Sequence, residues 1–179
     1  ECGDDAGNRQ NIATIDETND ADTASVRVNC YDPIVMKTVE TSKIRNYTWT
    51  LDKSVDPDSL NLFQGDSAAA EFTLDLTRTG ADSGFVATGS IKVINPAPIG
   101  AKIVSVTDTL DLAVDAYGVV TCEGGAGPYN IAAGDTLNCS YTADVADAGS
   151  GTNTATAKLQ NHYTDEDGNS SETGLSPHT

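Results

Sequence analysis

Apolar and polar side chains alternate along this chain in short runs, and nowhere does the spacing follow the period of an amphipathic helix. Ser25–Cys30, Glu71–Thr77, Lys102–Thr107, Thr136–Ala143 and Thr154–Leu159 each read as a strand. In the second, Phe72, Leu74 and Leu76 share one face; in the fourth, Leu137, Cys139 and Tyr141 point inward. Ser90–Ile94 stops at Asn95-Pro96-Ala97-Pro98, because proline cannot donate to a ladder. Tyr47, Trp49 and Leu51 alternate with Thr48 and Thr50, which predicts that the single tryptophan lies in the core between two sheets, not on a ligand-stacking surface. Strands this short, separated by Gly, Pro and Asp clusters, predict an all-β fold of the β-sandwich kind.

Length and charge narrow the picture. The 179 residues suffice for one sandwich with an extension. With 27 acidic and 10 basic residues the net charge is −17, which repels nucleic acid and anionic membrane alike. No apolar run approaches the length of a bilayer span, so no membrane insertion is expected. Glu1 in first place suggests a processed product or an excised segment.

Four cysteines, none in a close C-x-x-C pair, fit disulfides in an oxidising compartment. Cys122 and Cys139 flank the Gly124–Pro128 turn, and Cys2 is expected to staple Cys30, although three pairings are open. Sequons at Asn46, Asn138 and Asn169 add candidate glycosylation sites. Together these features predict an extracellular or cell-surface location.

There is also an internal echo. Asn11-Ile12-Ala13-Thr14 and an acidic stretch from Asp16 to Asp22 resemble Asn153-Thr154-Ala155-Thr156 and the acidic stretch Asp165–Glu172. The first copy runs on into a strand from Ala24; the second is expected not to.

The runs Tyr31–Val39, Tyr47–Ser54, Thr88–Ile99 and Asn153–Ala157 resemble the repeat-type immunoglobulin-like domains of large secreted bacterial and archaeal surface proteins, over roughly residues 24 to 170. The resemblance implies an immunoglobulin-like β-sandwich over 32–179, with residues 1–31 as an extension carrying the closing strands of a preceding repeat. It also implies that the chain stops short of the last strand of its own repeat. A sandwich left with an open edge invites strand addition. Asn11, Ile12, Ala13, Ala24, Val26 and Val28 would then be the donor strand, inserted into the next identical subunit, and the product would be a head-to-tail filament. A segment cut from a tandem-repeat surface protein is the simpler alternative. An adhesin or carbohydrate-binding module is a further one, with few aromatics left over for sugar stacking once the core takes its share.

Chemistry is sparse. Asp165, Asp167 and Asn169 offer hard oxygen ligands at alternate positions, a calcium site by residue type but not by EF-hand spacing; Asp16, Glu17, Asp20 and Asp22 form a similar cluster. No cofactor is expected. No nucleophile elbow, phosphate loop or zinc helix motif is present, and most acids fall in turns, so no enzyme is expected. Lys37 or Lys53 could be joined covalently to an asparagine, as in some pilins, with loss of one ammonia; ordinary solvated lysines are the simpler reading.

Overall fold

A computed structural model describes residues 6–112, 115–160, 162–164 and 170–172. Every regular element in it is a strand. Near the amino terminus β1 (Gly7–Thr14) and β2 (Ala21–Val28) form an antiparallel hairpin whose ladder, among the described residues, joins no other strand. Its turn holds Asp16, Glu17 and Asp20, with Asn19 in the left-handed region at φ 58°. At the other end β11 (His162–Thr164) pairs with β12 (Ser170–Glu172), which lies within the second acidic stretch; residues 173–179, where no further strand is expected, lie outside the described residues.

Between the hairpins lies a sandwich-like arrangement of the remaining strands. The first layer joins β3 (Ile34–Lys37), β5 (Glu71–Ile94) and β9 (Thr136–Val145). The second joins β10 (Thr152–Leu159), β6 (Ala101–Asp111) and β8 (Tyr129–Ile131). Strand β7 (Ala116–Cys122) belongs to both, pairing with β6 through Ala116–Gly118 and with β9 through Val119–Cys122. The alternating runs of β5, β6 and β9 turn one face inward, so Ile91, Val93, Ile103, Ile131, Leu137 and Tyr141 fill the gap. Each fully buried aliphatic there contributes about 1.5–3 kcal/mol.

The prolines after β5 end that strand in a loop knitted by Asn95, which is buried. Its amide nitrogen donates to the carbonyls of Ile99, Ile131 and Ala132, and its oxygen accepts from the Ala97 N–H. The asparagine therefore ties β5, the loop and the end of β8 together.

One expectation fails here. Trp49 is not in the core; it is 56% exposed. Strand β4 (Glu40–Asp56) pairs with the first part of β5 in a long two-stranded ribbon, and β9 joins β5 only from Phe85 onward. No second sheet faces the ribbon among the described residues, so alternation there creates an apolar face with nothing to bury it. Tyr47, Trp49 and Leu51 lie opposite Gly80, Arg78 and Leu76, and so share that face with Leu74 and Phe72. Thr48, Thr50, Asp52 and Ser54, opposite Thr79, Thr77, Asp75 and Thr73, form the polar one. Likewise the aromatics are not mostly used up inside: Tyr31, Tyr47, Phe63, Phe72 and Tyr117 are exposed, while Tyr141 is buried.

Candidate functional site

The register of the first layer places Lys37 directly opposite Ile91, one of the most buried residues of the core. Position 37 therefore faces inward, against the usual habit of lysine. In the second layer Asp108 alternates with Val106 and Leu110 on the inward face of β6 and is 2% exposed. Asn153, Ala155 and Ala157 take the inward positions of β10, facing Leu110, Asp108 and Val106 respectively. The alanines leave room between the layers, and a lysine, an aspartate and an asparagine from three strands meet in it.

Lys37 Nζ is in direct contact with both Asn153 Oδ1 and Asp108 Oδ1. It also lies 3.8 Å from the centre of the Tyr141 ring, whose face attracts a cation. The Tyr141 hydroxyl donates to the Thr38 carbonyl at 2.8 Å, and its oxygen accepts from Asn153 Nδ2 at 3.0 Å. Since that hydroxyl spends its only proton on Thr38, the amide group facing it must be the donor. This settles the orientation of Asn153: nitrogen toward Tyr141, oxygen toward Lys37.

Two glycines make the approach possible. A Cβ on Gly89 would fall 2.1 Å from the Thr38 carbonyl oxygen and 2.7 Å from the Tyr141 ring. A Cβ on Gly118 would meet Asp108 Oδ2 at 2.5 Å. Any side chain at either position would push β3, or the aspartate, out of place.

Burial lowers the Lys37 ammonium from 10.5 to about 8, because the charged form loses its water. Burial also raises the Tyr141 phenol, opposed by the hydrogen bond from Asn153, so the hydroxyl keeps its proton. Beyond the Lys37 contact, neither carboxylate oxygen of Asp108 has a hydrogen-bond partner among the described residues. An acid without such bonds, in contact with an amine held near neutrality, is placed to exchange a proton with it. Beside the cluster an open groove of about 720 Å³, lined in part by Lys37, Thr38, Val39 and Asn153, leads to solvent.

The other residues singled out by sequence lie apart from this cluster. Cys122 and Cys139 face each other across β7 and β9 and form a disulfide. Cys30 is also disulfide-bonded, and Cys2 lies outside the described residues. Asn11, Ile12 and Ala13 lie in β1, and Ala24, Val26 and Val28 in β2. Asn46 is exposed on the polar face of the ribbon, and Asn138 is exposed on β9, donating to Glu123. Asp165, Asp167 and Asn169 fall outside the described residues. Lys53 stacks over the Phe72 ring at 4.8 Å.

Asp108 and Tyr141 were not recognised as chemistry in the sequence, and Asp108 breaks the expectation that acids lie in turns. The signal was present. Extending the Lys102–Thr107 alternation by two steps places an aspartate between Val106 and Leu110 on the inward face.

Comparison with known proteins finds no matching family model, no matching curated protein and no matching solved structure.

Proposed function

We propose that this chain is a structural subunit of an extracellular filament or cell-surface assembly, with an immunoglobulin-like sandwich at its centre and no enzymatic turnover. Identical copies join head to tail, the amino-terminal segment of one adding strands to the next. The observation that carries this reading is the uncovered ribbon. Over Glu71–Gly84, β5 pairs, among the described residues, only with β4, which leaves an edge open on each side of the ribbon. A two-stranded ribbon is marginal by itself, and a third strand or a packed face is what stabilises it. The hairpin Gly7–Val28 offers strands of the right kind, paired with each other and exposed from Gly7 to Arg27.

The disulfides and the acidic surface suit an oxidising, ion-rich exterior. Glycans on Asn46 would project from the polar face and leave the apolar one open.

Electron microscopy and size-exclusion chromatography of the whole chain, with and without residues 1–30, test the proposal. Fibres or oligomers that vanish on deletion support it; assembly indifferent to the deletion removes strand donation. A second reading, a glycan-binding module, draws on Trp49 and Tyr47 standing exposed on one face. Binding on a glycan array by a strictly monomeric chain would favour it.

A further inference from the structure

We propose that Lys37 and Asn153 are joined by an isopeptide bond that the protein forms within itself, with Asp108 moving the protons. The inference stands on the cluster alone and does not depend on how copies assemble.

An exposed lysine is a poor nucleophile at neutral pH because it is protonated, whereas desolvation favours the free amine. Lys37 sits where that happens, on the inward face of β3 and against an unsolvated carboxylate. A proton passed from its ammonium to Asp108 leaves a neutral amine beside a neutral acid, which costs less in a closed core than two charges. The amine lone pair then forms a bond to Asn153 Cγ. Charge gathers on Oδ1, on the side where Lys37 and Asp108 lie, and the acid stabilises it by hydrogen bonding.

Breaking of the Cγ–Nδ2 bond completes the exchange. The surplus proton of the attacking nitrogen passes through Asp108 to Nδ2, which leaves as ammonia. Asp108 then gives up the proton it first took, and the departing group is released as ammonium. Nothing is oxidised or reduced. One amide is exchanged for another, and the groove beside Asn153 provides the exit.

Tyr141 is a positioning residue. By accepting from Nδ2 it fixes the amide plane and presents the carbonyl to the lysine. The competing account is an ordinary buried ion pair with an asparagine neighbour. That account leaves Asp108 Oδ2 without a hydrogen bond and gives no role to the Asn153 amide held against the amine.

Mass spectrometry of the reduced, full-length protein separates the two. The expected result is a chain lighter than its sequence by one ammonia, with a branched tryptic peptide uncut at Lys37 and carrying Asn153. Lys37→Ala, Asn153→Ala and Asp108→Ala should each abolish the branched peptide. A wild-type protein with Lys37 cleaved normally by trypsin and Asn153 recovered as a free amide would overturn the proposal. That peptide map needs no variant to fold. An ammonia lost elsewhere, through succinimide formation at another asparagine, would overturn it equally.

Discussion

The side-chain nitrogen of Asn153 donates to the phenol oxygen of Tyr141, whose hydroxyl in turn donates to the Thr38 carbonyl one residue beyond Lys37. The relay couples the last strand of the sandwich to the first through a third. Tyr141→Phe removes both hydrogen bonds while keeping the ring under Lys37. Each lost bond to a buried group costs about 1–3 kcal/mol. We expect a protein that still folds but acquires the cross-link slowly or incompletely, read as a mixture of two masses differing by one ammonia. Full and rapid conversion would show that the phenol does not orient the amide.

Gly89 packs directly against the end of β3 and the Tyr141 ring. An added methyl group would overlap the Thr38 carbonyl, so Gly89→Ala must displace β3. Overpacking of this kind costs about 1–3 kcal/mol. Denaturant titration should show that loss, and the same sample should be short of cross-linked chain. Native stability with complete linkage would mean that β3 tolerates the shift.

Where the cross-link is blocked, as in Asn153→Ala, Lys37 keeps an amine that titrates. Burial holds it at about 8 in the folded chain, against 10.5 ordinarily. Between those values the unfolded chain holds the extra proton, so stability of the variant rises with pH across that window, by at most about 1.4 kcal/mol per pH unit. Below pH 8 both states are protonated and the slope from this residue vanishes. The cross-linked wild type has no amine there and should lack the rise. Melting curves of both proteins at a series of pH values make the comparison.

The single tryptophan reports on the ribbon. Trp49 is exposed in the isolated chain, so its fluorescence should be red-shifted in dilute solution and move to the blue as copies assemble. Leu51→Ser together with Leu76→Ser, both on the same ribbon face and opposite one another, should abolish the shift without lowering the melting temperature. A melting point that falls as well would place the ribbon in the monomer's own stability.

The disulfide between Cys122 and Cys139, 17 residues apart, closes a loop that reduces the freedom of the unfolded chain. Replacing both by alanine should cost about 3 kcal/mol. Chemical denaturation compares the two forms, and a loss far below that value would mean that the strands already restrict the loop when unfolded.

How much of this was legible in the sequence differs from segment to segment. Strand existence was, because alternation is local: Leu137, Cys139 and Tyr141 point inward, as their spacing predicts. The all-β, sandwich-like character follows from such runs. Trp49 shows where local pattern runs out. Alternation specifies which side chains share a face, but whether another sheet covers that face depends on pairing partners far away in the chain. The 24-residue length of β5, half in the sandwich and half in the ribbon, is that kind of long-range fact. Asp108 illustrates a second limit: a charged residue in a strand reads as solvent-facing until the register of its neighbours is known.

Lys37 and Asn153 belong to the opening and closing strands of the sandwich, which approach each other side by side. A covalent tie there has a mechanical meaning. When the two ends of the domain are pulled apart, force enters at β3 and leaves by β10 through a single amide, bypassing every hydrogen-bonded ladder between them. The strands in between would stay folded at loads that unravel an untied sandwich, and the domain would behave as an inextensible link.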